Sequence, residues 1–354
     1  MSGQRIVIVD YNHQLHQFLN SKAPRFFWTI KLGAQPIQIE TTVPAYTIKN
    51  MHKFARKGID TLAVCFDSPC TFRKDYFRQK KDGTPTDIEY KGARKPMIKD
   101  MVDGSNLTID ILDKAKVPIY KIQGYEADDL IYSLVMICKE LYPTTPIDIV
   151  TNDGDLLPLV DSQVSVFLRS TKFTWAVSKD IEKTHYWQVT PENYEQVVGG
   201  LSRYQKFSMP YNTILLHKLL RGDDSDGIPG KIDLSRGKQD FPPKMYNELI
   251  EIFESRNINL AEIFRYVKFY PRYEHNNMPT GKLGEIYKKK MDEQIRVMTE
   301  VFMDIVDDYD YLAEHIDFIY RGMSPRFVNL VPPMKYDAGS LKVEAERLGI
   351  NLPI

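Results

Sequence analysis

The sequence predicts an α/β fold, a mainly parallel central sheet with helices on both faces, followed by a helical region. Three observations carry this. Short β-branched apolar runs recur without period-2 alternation, as in strands buried on both faces of a parallel sheet. Helical patterns separate these runs, and strand–helix alternation marks an open α/β sheet. Beyond about residue 200 the strand signal fades and helical patterns dominate.

Taken in order, the first run is RIVIVD (5–10), followed by a helical pattern at 43–57. TLAVCFD (61–67) is the second strand, and a helix is expected at 105–115. VPIYKI (117–122), a helix at 127–141 and IDIVTND (147–153) continue the alternation. VSVFLRS (164–170) and KFTWAV (172–177) read as a late hairpin at one sheet edge. Further helices are expected at 211–221, 243–255, 259–267 and 283–304. A boundary in VVGGLSRYQKFSMP (197–210) divides an α/β core, 1–200, from a helical region, 201–354. Neither internal repeats nor low-complexity segments interrupt this plan.

A chain of 354 residues can bury a substantial core and suits about two domains. Its formal net charge is zero, so a charged partner must be met by local patches. Cys65, Cys70 and Cys138 show no CxxC spacing and are odd in number, against a disulfide framework or a zinc site. A reducing, intracellular compartment is expected. RIVIVD is too short for a signal peptide, and no apolar run approaches the roughly 20 residues of a spanning helix. A soluble protein without a membrane is therefore expected.

Ligands of open α/β sheets bind outside the carboxyl ends of the strands. Asp10 and Asp67 each end a predicted strand, and Asp153 and Asp155, in TNDGDLLPLV, follow a third. Glu126, Asp128 and Asp129, in YEADDLI, open the helix after the fourth. One acid at a helix start is satisfied by the dipole and the free backbone amides. Three together repel unless a cation stands among them. A lone strand-end Asp is ordinarily a cap or turn residue, but seven acids at four termini ask for more. Hard oxygen donors without His or Cys select Mg²⁺ or Mn²⁺ over zinc. Magnesium keeps several waters, so seven acids suggest two ions. Two metals about 4 Å apart serve in-line attack on a phosphodiester.

Positive charge gathers nearby in sequence. Arg73, Lys74, Arg78, Lys80, Lys81, Lys91, Arg94, Lys95 and Lys99 share their span with only Asp75, Asp82, Asp87 and Glu89. Phe72, Tyr76, Phe77 and Tyr90 are interleaved. Lys and Arg contact phosphates and aromatic faces stack on unpaired bases; the alternative is a solvated insertion between strands. LLRGDDSDGIPG (219–230) holds Asp223, Asp224 and Asp226 in what reads alone as an Asx-type turn. It lacks the closing Glu of a twelve-residue calcium loop.

The ordered set VDYNH, CFDSP…FR, YKGAR, YEADDLI, TNDGDLLPLV and GDDSDGIPG, across residues 5–230, resembles the 5′-nuclease superfamily. That superfamily includes flap endonucleases, the 5′–3′ exonuclease domain of bacterial DNA polymerase I, and stand-alone bacteriophage enzymes. With about 120 residues after the motifs, the chain is most similar to the stand-alone bacteriophage and bacterial members. The resemblance implies a PIN-like 5′-nuclease core, a helical arch at about 72–100, and a helix–hairpin–helix-like DNA-binding motif at about 211–255. It implies that Asp10, Asp67, Glu126, Asp128 and Asp129 hold the tighter metal, and Asp153, Asp155, Asp223 and Asp226 the second. Asp224 stands where the family often has Ser or Glu. Lys91 and Arg94 match the basic pair of the arch, expected to act on the scissile phosphate; a spacing of three would put them on one helix face. Arg73, Lys74, Arg78, Lys80, Lys81, Tyr90 and Lys95 are expected to contact nucleic acid.

The implied cofactors are two Mg²⁺ ions, with Mn²⁺ able to substitute, and K⁺ at the helix–hairpin–helix motif. The implied partners are DNA with 5′ flaps, nicks or free 5′ ends, RNA–DNA hybrids, and replication proteins such as single-strand-binding protein or clamp. The expected setting is replication or repair, by a monomer in the cytoplasm of a bacterial or phage-infected cell. No glutamine-led hydrophobic–aromatic clamp box is legible. One departure stands out: GIPG is followed by KIDLSRGKQDFPPKM in place of a short glycine-bearing turn and a lysine. An enlarged or reshaped DNA-gripping hairpin is expected. The rival readings are a PIN-type ribonuclease and a DNA-branch-binding protein without activity, which would have lost acids. An Asp-nucleophile phosphatase would need a second Asp where Asn12 stands.

Overall fold

The computed structural model describes residues 3–12, 15, 27–32, 35–56, 59–69, 91–92, 96–97, 99–169, 186–194, 197, 330–335 and 337–348. In chain order these form β1 (Ile6–Asp10), β2 (Phe27–Leu32), β3 (Gln35–Glu40), α1 (Thr42–Phe54) and β4 (Thr61–Cys65). Then come α2 (Lys99–Lys114), β5 (Ile119–Tyr120), α3 (Ala127–Leu141), β6 (Ile147–Val150) and β7 (Val164–Arg169). β8 (Tyr186–Val189), β9 (Met334–Lys335) and α4 (Ala338–Arg347) complete the described elements.

The central sheet runs β5–β4–β1–β6–β7–β8, with β9 also on β4. β1, β4, β5, β6 and β7 are parallel to their neighbours in this core; β8 and β9 join antiparallel. The mainly parallel α/β class is therefore correct. No residue of β1 is more than 2% exposed, which is why its run carries no alternation. Connections from β1 lead to β4 and β5, then cross to β6 and onward to β7. The direction reverses between β1 and β6, and in open α/β sheets the ligand crevice lies outside the carboxyl ends at such a switch point.

Helices cover both faces. Val7, Val9, Leu62 and Val64 share one buried cluster with Ile48 and Met51 of α1, Ile111 and Leu112 of α2, and Leu341 and Ala345 of α4. The alternate residues Ile6, Ile8, Ala63 and Cys65 are equally buried but lie outside that cluster. α3 packs against β1, β4 and β6. Its Cys138 is near enough to act electrostatically on Cys65, so α3 lies over that second face. α1 and α2 cross closely at Gly104, where an added Cβ would stand 2.9 Å from Val43 Cγ2. Among the described residues no helix is long and apolar enough to cross a membrane.

Several elements differ from expectation. The run 117–122 contributes only Ile119 and Tyr120 to the sheet, pairing with Val64 and Cys65. The rest of that β4 edge, Thr61 and Leu62, is taken by Lys335 and Met334 of β9. The Tyr120 hydroxyl also donates to the Val331 carbonyl at 2.9 Å. An edge strand too short to cover its neighbour is thus completed by the distant end of the chain, which leaves fewer open ladder groups. α2 starts at Lys99, before the expected 105, because Met101 and Gly104 are already buried. β8 pairs antiparallel with β7, while KFTWAV lies outside the described residues. Tyr186 of β8 stands edge-on to Phe54 of α1 at 4.9 Å, and Phe167 of β7 does the same at 5.2 Å. The β2–β3 hairpin is an element that the sequence reading did not include.

The chain forms two compact units. One comprises Met1–Phe72, Arg94–Asn193 and Arg321–Ile354; the other comprises Arg73–Ala93 and Tyr194–Tyr320. The division differs from a single boundary near residue 200, since the last segment returns to the α/β unit through β9 and α4. The helices expected between 211 and 304 lie outside the described residues.

Candidate active site

β1 delivers the first acid. Asp10 follows Ile6 and Ile8 on the α3 face, is 1% exposed, and lies opposite Cys65 in the sheet register. Thr151, just past β6, donates from Oγ1 to Asp10 Oδ2 at 2.7 Å across the crevice. The same hydroxyl oxygen accepts from the Asp153 amide at 2.9 Å. Asp153 caps a short 3-10 turn, Gly154–Leu159, and its Oδ1 accepts from the Asp155 amide at 3.0 Å. Asp155 is buried.

β4 delivers the next. Phe66 turns into the core, where its ring lies 4.2 Å from that of Tyr11. Asp67 turns the other way. Its Oδ1 accepts from the Ala127 amide at 2.7 Å and its Oδ2 accepts from the Asn12 side-chain amide. Ala127 is the first residue of α3, so Asp67 satisfies one of the amides that every helix start leaves without an intrahelical partner. Within the helix, Asp129 Oδ2 accepts from the Glu126 amide at 2.9 Å. Glu126 and Asp129 are buried, and Asp128 is half-buried.

The approach to α3 is clamped. Ser68 Oγ donates to the Ile122 carbonyl at 2.7 Å and accepts from the Gly124 amide at 2.9 Å, while its own amide donates to Tyr125 O. Gly124 has φ 88°, a left-handed conformation that favours glycine. This bend aims Tyr125 and Glu126 into the helix start.

Cys65 lies among these acids. Burial pushes its thiol well above the usual range, and the charges of Asp10, Asp128 and Asp67 push it further. Three acids from three elements therefore act on one buried atom. The opposite, amino end of the sheet is different in kind. There Arg5 bonds Asp148 at 2.7 Å and Asp60 at 3.2 Å, and Arg56 bonds Asp60 at 2.7 Å. Burial works against ionisation of Asp60, but hydrogen bonds from Arg56 and Arg5 outweigh it and hold the carboxyl at about 2. Those acids are matched by arginines within the fold and serve stability.

Asp10, Asp67, Glu126, Asp128, Asp129, Asp153 and Asp155 thus all lie at the carboxyl end of the sheet. Among the described residues no three of them close into a ready-made cage. Hard oxygen donors so arranged could hold a Mg²⁺-like cation that keeps part of its water shell. Asp223, Asp226, Arg94, Arg73, Lys74, Arg78, Lys80, Lys81, Tyr90 and Lys95 lie outside the described residues. Lys91 belongs to the second compact unit, is half-buried, and sits in a turn at φ 53°. A helix face shared with Arg94 does not begin at Lys91, because that backbone is not right-handed helix. Asn12, Ser68 and Thr151 were not among the expected site residues. Their only signal is a short polar side chain beside each acid, in VDYN, FDS and VTND.

Residues 15–189 match the family described as 5′–3′ exonuclease, N-terminal resolvase-like domain. DNA polymerase I of Caldicellulosiruptor bescii is 34% identical over 169 residues, 47% of this chain and 17% of that protein. The 5′–3′ exonuclease of Buchnera aphidicola subsp. Baizongia pistaciae is 26% identical over 232 residues, 65% of this chain and 64% of its own length. The chain spans about a fifth of the curated DNA polymerase I relatives it matches. A solved structure of a bacteriophage T5 5′-exonuclease with zinc ions is similar with TM-score 0.46 at 18% identity, covering 89% of this chain and 98% of that one.

Proposed function

Because the chain belongs to the 5′-nuclease superfamily through its resolvase-like domain, we propose that it is a divalent-metal-dependent, structure-specific 5′ nuclease. It hydrolyses phosphodiesters near the 5′ end of DNA, as exonuclease and as flap endonuclease. The observation that carries the reading is the gathering of acids from β1, the loop after β4, the start of α3 and the turn after β6 at one switch-point crevice.

Asp10, Asp67, Glu126, Asp128 and Asp129 would hold one Mg²⁺, and Asp153, Asp155, Asp223 and Asp226 a second, with Mn²⁺ able to replace either. When bound, such ions lower the pKa of an attacking water and offset charge on the attacked phosphate. The chain's own contribution is orientation. The Ala127 amide and Asn12 hold both oxygens of Asp67, Thr151 holds Asp10 Oδ2, and the helix-start amide of Glu126 holds Asp129. Carboxylates restrained in this way lose less freedom when they engage a cation. Lys91 and Arg94 are assigned to the phosphate oxygens, where a fixed cation steadies charge built up during attack. The substrates in this reading are 5′ flaps, nicks, free 5′ ends and primer RNA paired to DNA, met in cytoplasmic replication or repair by a monomer. K⁺ at residues 211–255 and contact with single-strand-binding protein or clamp belong to the same reading.

The test is a digest of a 5′ flap, a nicked duplex and an RNA–DNA hybrid, each 5′-labelled, in Mg²⁺ and in excess chelator. Release of short 5′ products in Mg²⁺ alone is expected. Full turnover in chelator, or cleavage confined to unstructured RNA, overturns the reading.

A further inference from the structure

We infer that Thr151 is a positioning residue whose hydroxyl couples the Asp10 carboxylate to the turn carrying Asp153 and Asp155, and so sets how tightly divalent metal is held. The inference rests on the metal-dependent reading above. Thr151 is 1% exposed, and its amide donates to the Phe167 carbonyl of β7 at 3.2 Å. That bond fixes its backbone at the mouth of the crevice beside β1.

The polarity of the contact follows from what each group can do. A hydroxyl has one proton. The Asp153 amide can only donate, so the hydroxyl oxygen accepts there. Its proton is left for Asp10 Oδ2, and an ionised carboxylate can only accept. The result is a directed chain from the Asp153 amide through Thr151 to Asp10. Bonds to an ionised acceptor are the stronger kind, and linked bonds polarise one another. Residues 10 and 151 are 141 positions apart, so this bond ties together two separate parts of the acid set. An outer partner of this type commonly changes metal affinity ten- to a hundredfold.

The experiment is a Mn²⁺ titration without DNA, read as the loss of the free-ion EPR signal, on wild type, Thr151→Val, Thr151→Ala and Thr151→Ser. Melting in chelator establishes that each variant is folded. Thr151→Val, nearly the same shape without the hydroxyl, is expected to bind about tenfold or more weakly. Thr151→Ser is expected to recover most of the loss. Unchanged Mn²⁺ affinity in Thr151→Val overturns the inference, as does Thr151→Ser binding as weakly as Thr151→Val. If Thr151→Val does not fold, Thr151→Ala against Thr151→Ser decides by the same criteria. If neither hydroxyl-free variant folds, the bond serves the fold and the inference falls. Wild type that takes up no Mn²⁺ overturns the metal-dependent reading itself, whereas an unchanged valine variant beside a binding wild type overturns this inference alone.

Discussion

The Ala127 amide donates to Asp67 Oδ1 at 2.7 Å, across 60 positions of sequence, so the acid after β4 also starts α3. Replacing a helix-capping side chain by Ala ordinarily costs about 1 kcal/mol. Asp67→Ala should therefore lower stability by about that amount when metal is chelated. Asp67→Asn keeps an acceptor oxygen for Ala127, and Asn12 can turn its own amide to suit, so its loss should be smaller. Both should lose metal-dependent cleavage. Urea unfolding in chelator checks this; equal stability of the two variants would show that the cap is unimportant.

Asp128→Asn separates repulsion from catalysis. Asp128 shares the Cys65 neighbourhood with Asp10 and Asp67, and like charges held close together repel. Removing one charge should leave the melting temperature in chelator unchanged or raised. Metal-assisted stabilisation is worth several kcal/mol, so single-turnover cleavage in Mg²⁺ should fall on the order of a thousandfold. A folded variant that cleaves at the wild-type rate sinks the assignment.

Gly104→Ala sets helix propensity against packing. Alanine in a helix interior gains about 1 kcal/mol over glycine. The new Cβ, however, would stand 2.9 Å from Val43 Cγ2 and 3.0 Å from Val43 Cβ, and the latter cannot rotate away. Overpacking of this kind costs about 1–3 kcal/mol, so a net loss of about 1 kcal/mol is expected. Adding Val43→Ala removes the Cγ2 contact but keeps the Cβ at 3.0 Å, so it should relieve only part of that loss. Stabilisation by the single change would mean that α1 and α2 are free to separate.

Asp60 makes a prediction in pH. Its folded carboxyl is held at about 2, below the ordinary 3.8, so the unfolded chain takes up the proton first as pH falls. The stability it contributes is present above about pH 4 and is lost towards pH 2. Asp148, raised chiefly by its burial, acts in the opposite sense. Comparing wild type with Asp60→Asn isolates the first effect. The variant should be less stable at pH 6, with the gap closing below pH 4 in urea titrations. A gap that does not change with pH would assign the loss to packing alone.

The sequence by itself determined the parallel core and where its acids fall. RIVIVD and IDIV are legible because burial on both faces demands continuous β-branched apolar residues, a local requirement. α3 begins and ends where its pattern says, at Ala127 and Leu141, because acids at a helix start and a 3.6-residue apolar repeat are also local. Strand-end acids then follow from the topology of parallel sheets. Tertiary structure alone decided the partners. β9 takes half of an edge that the run 117–122 could have filled, and β8 reaches β7 from farther along the chain, where its Tyr186 packs edge-on against Phe54. Thr151 reaches Asp10, and Asn12 and Ala127 reach Asp67, through bonds spanning 55 to 141 positions. A hydrogen bond between distant residues leaves no periodicity in the chain. Its energy depends on where two backbones arrive, and that is settled only when the sheet, the helices and the returning C-terminal segment pack together.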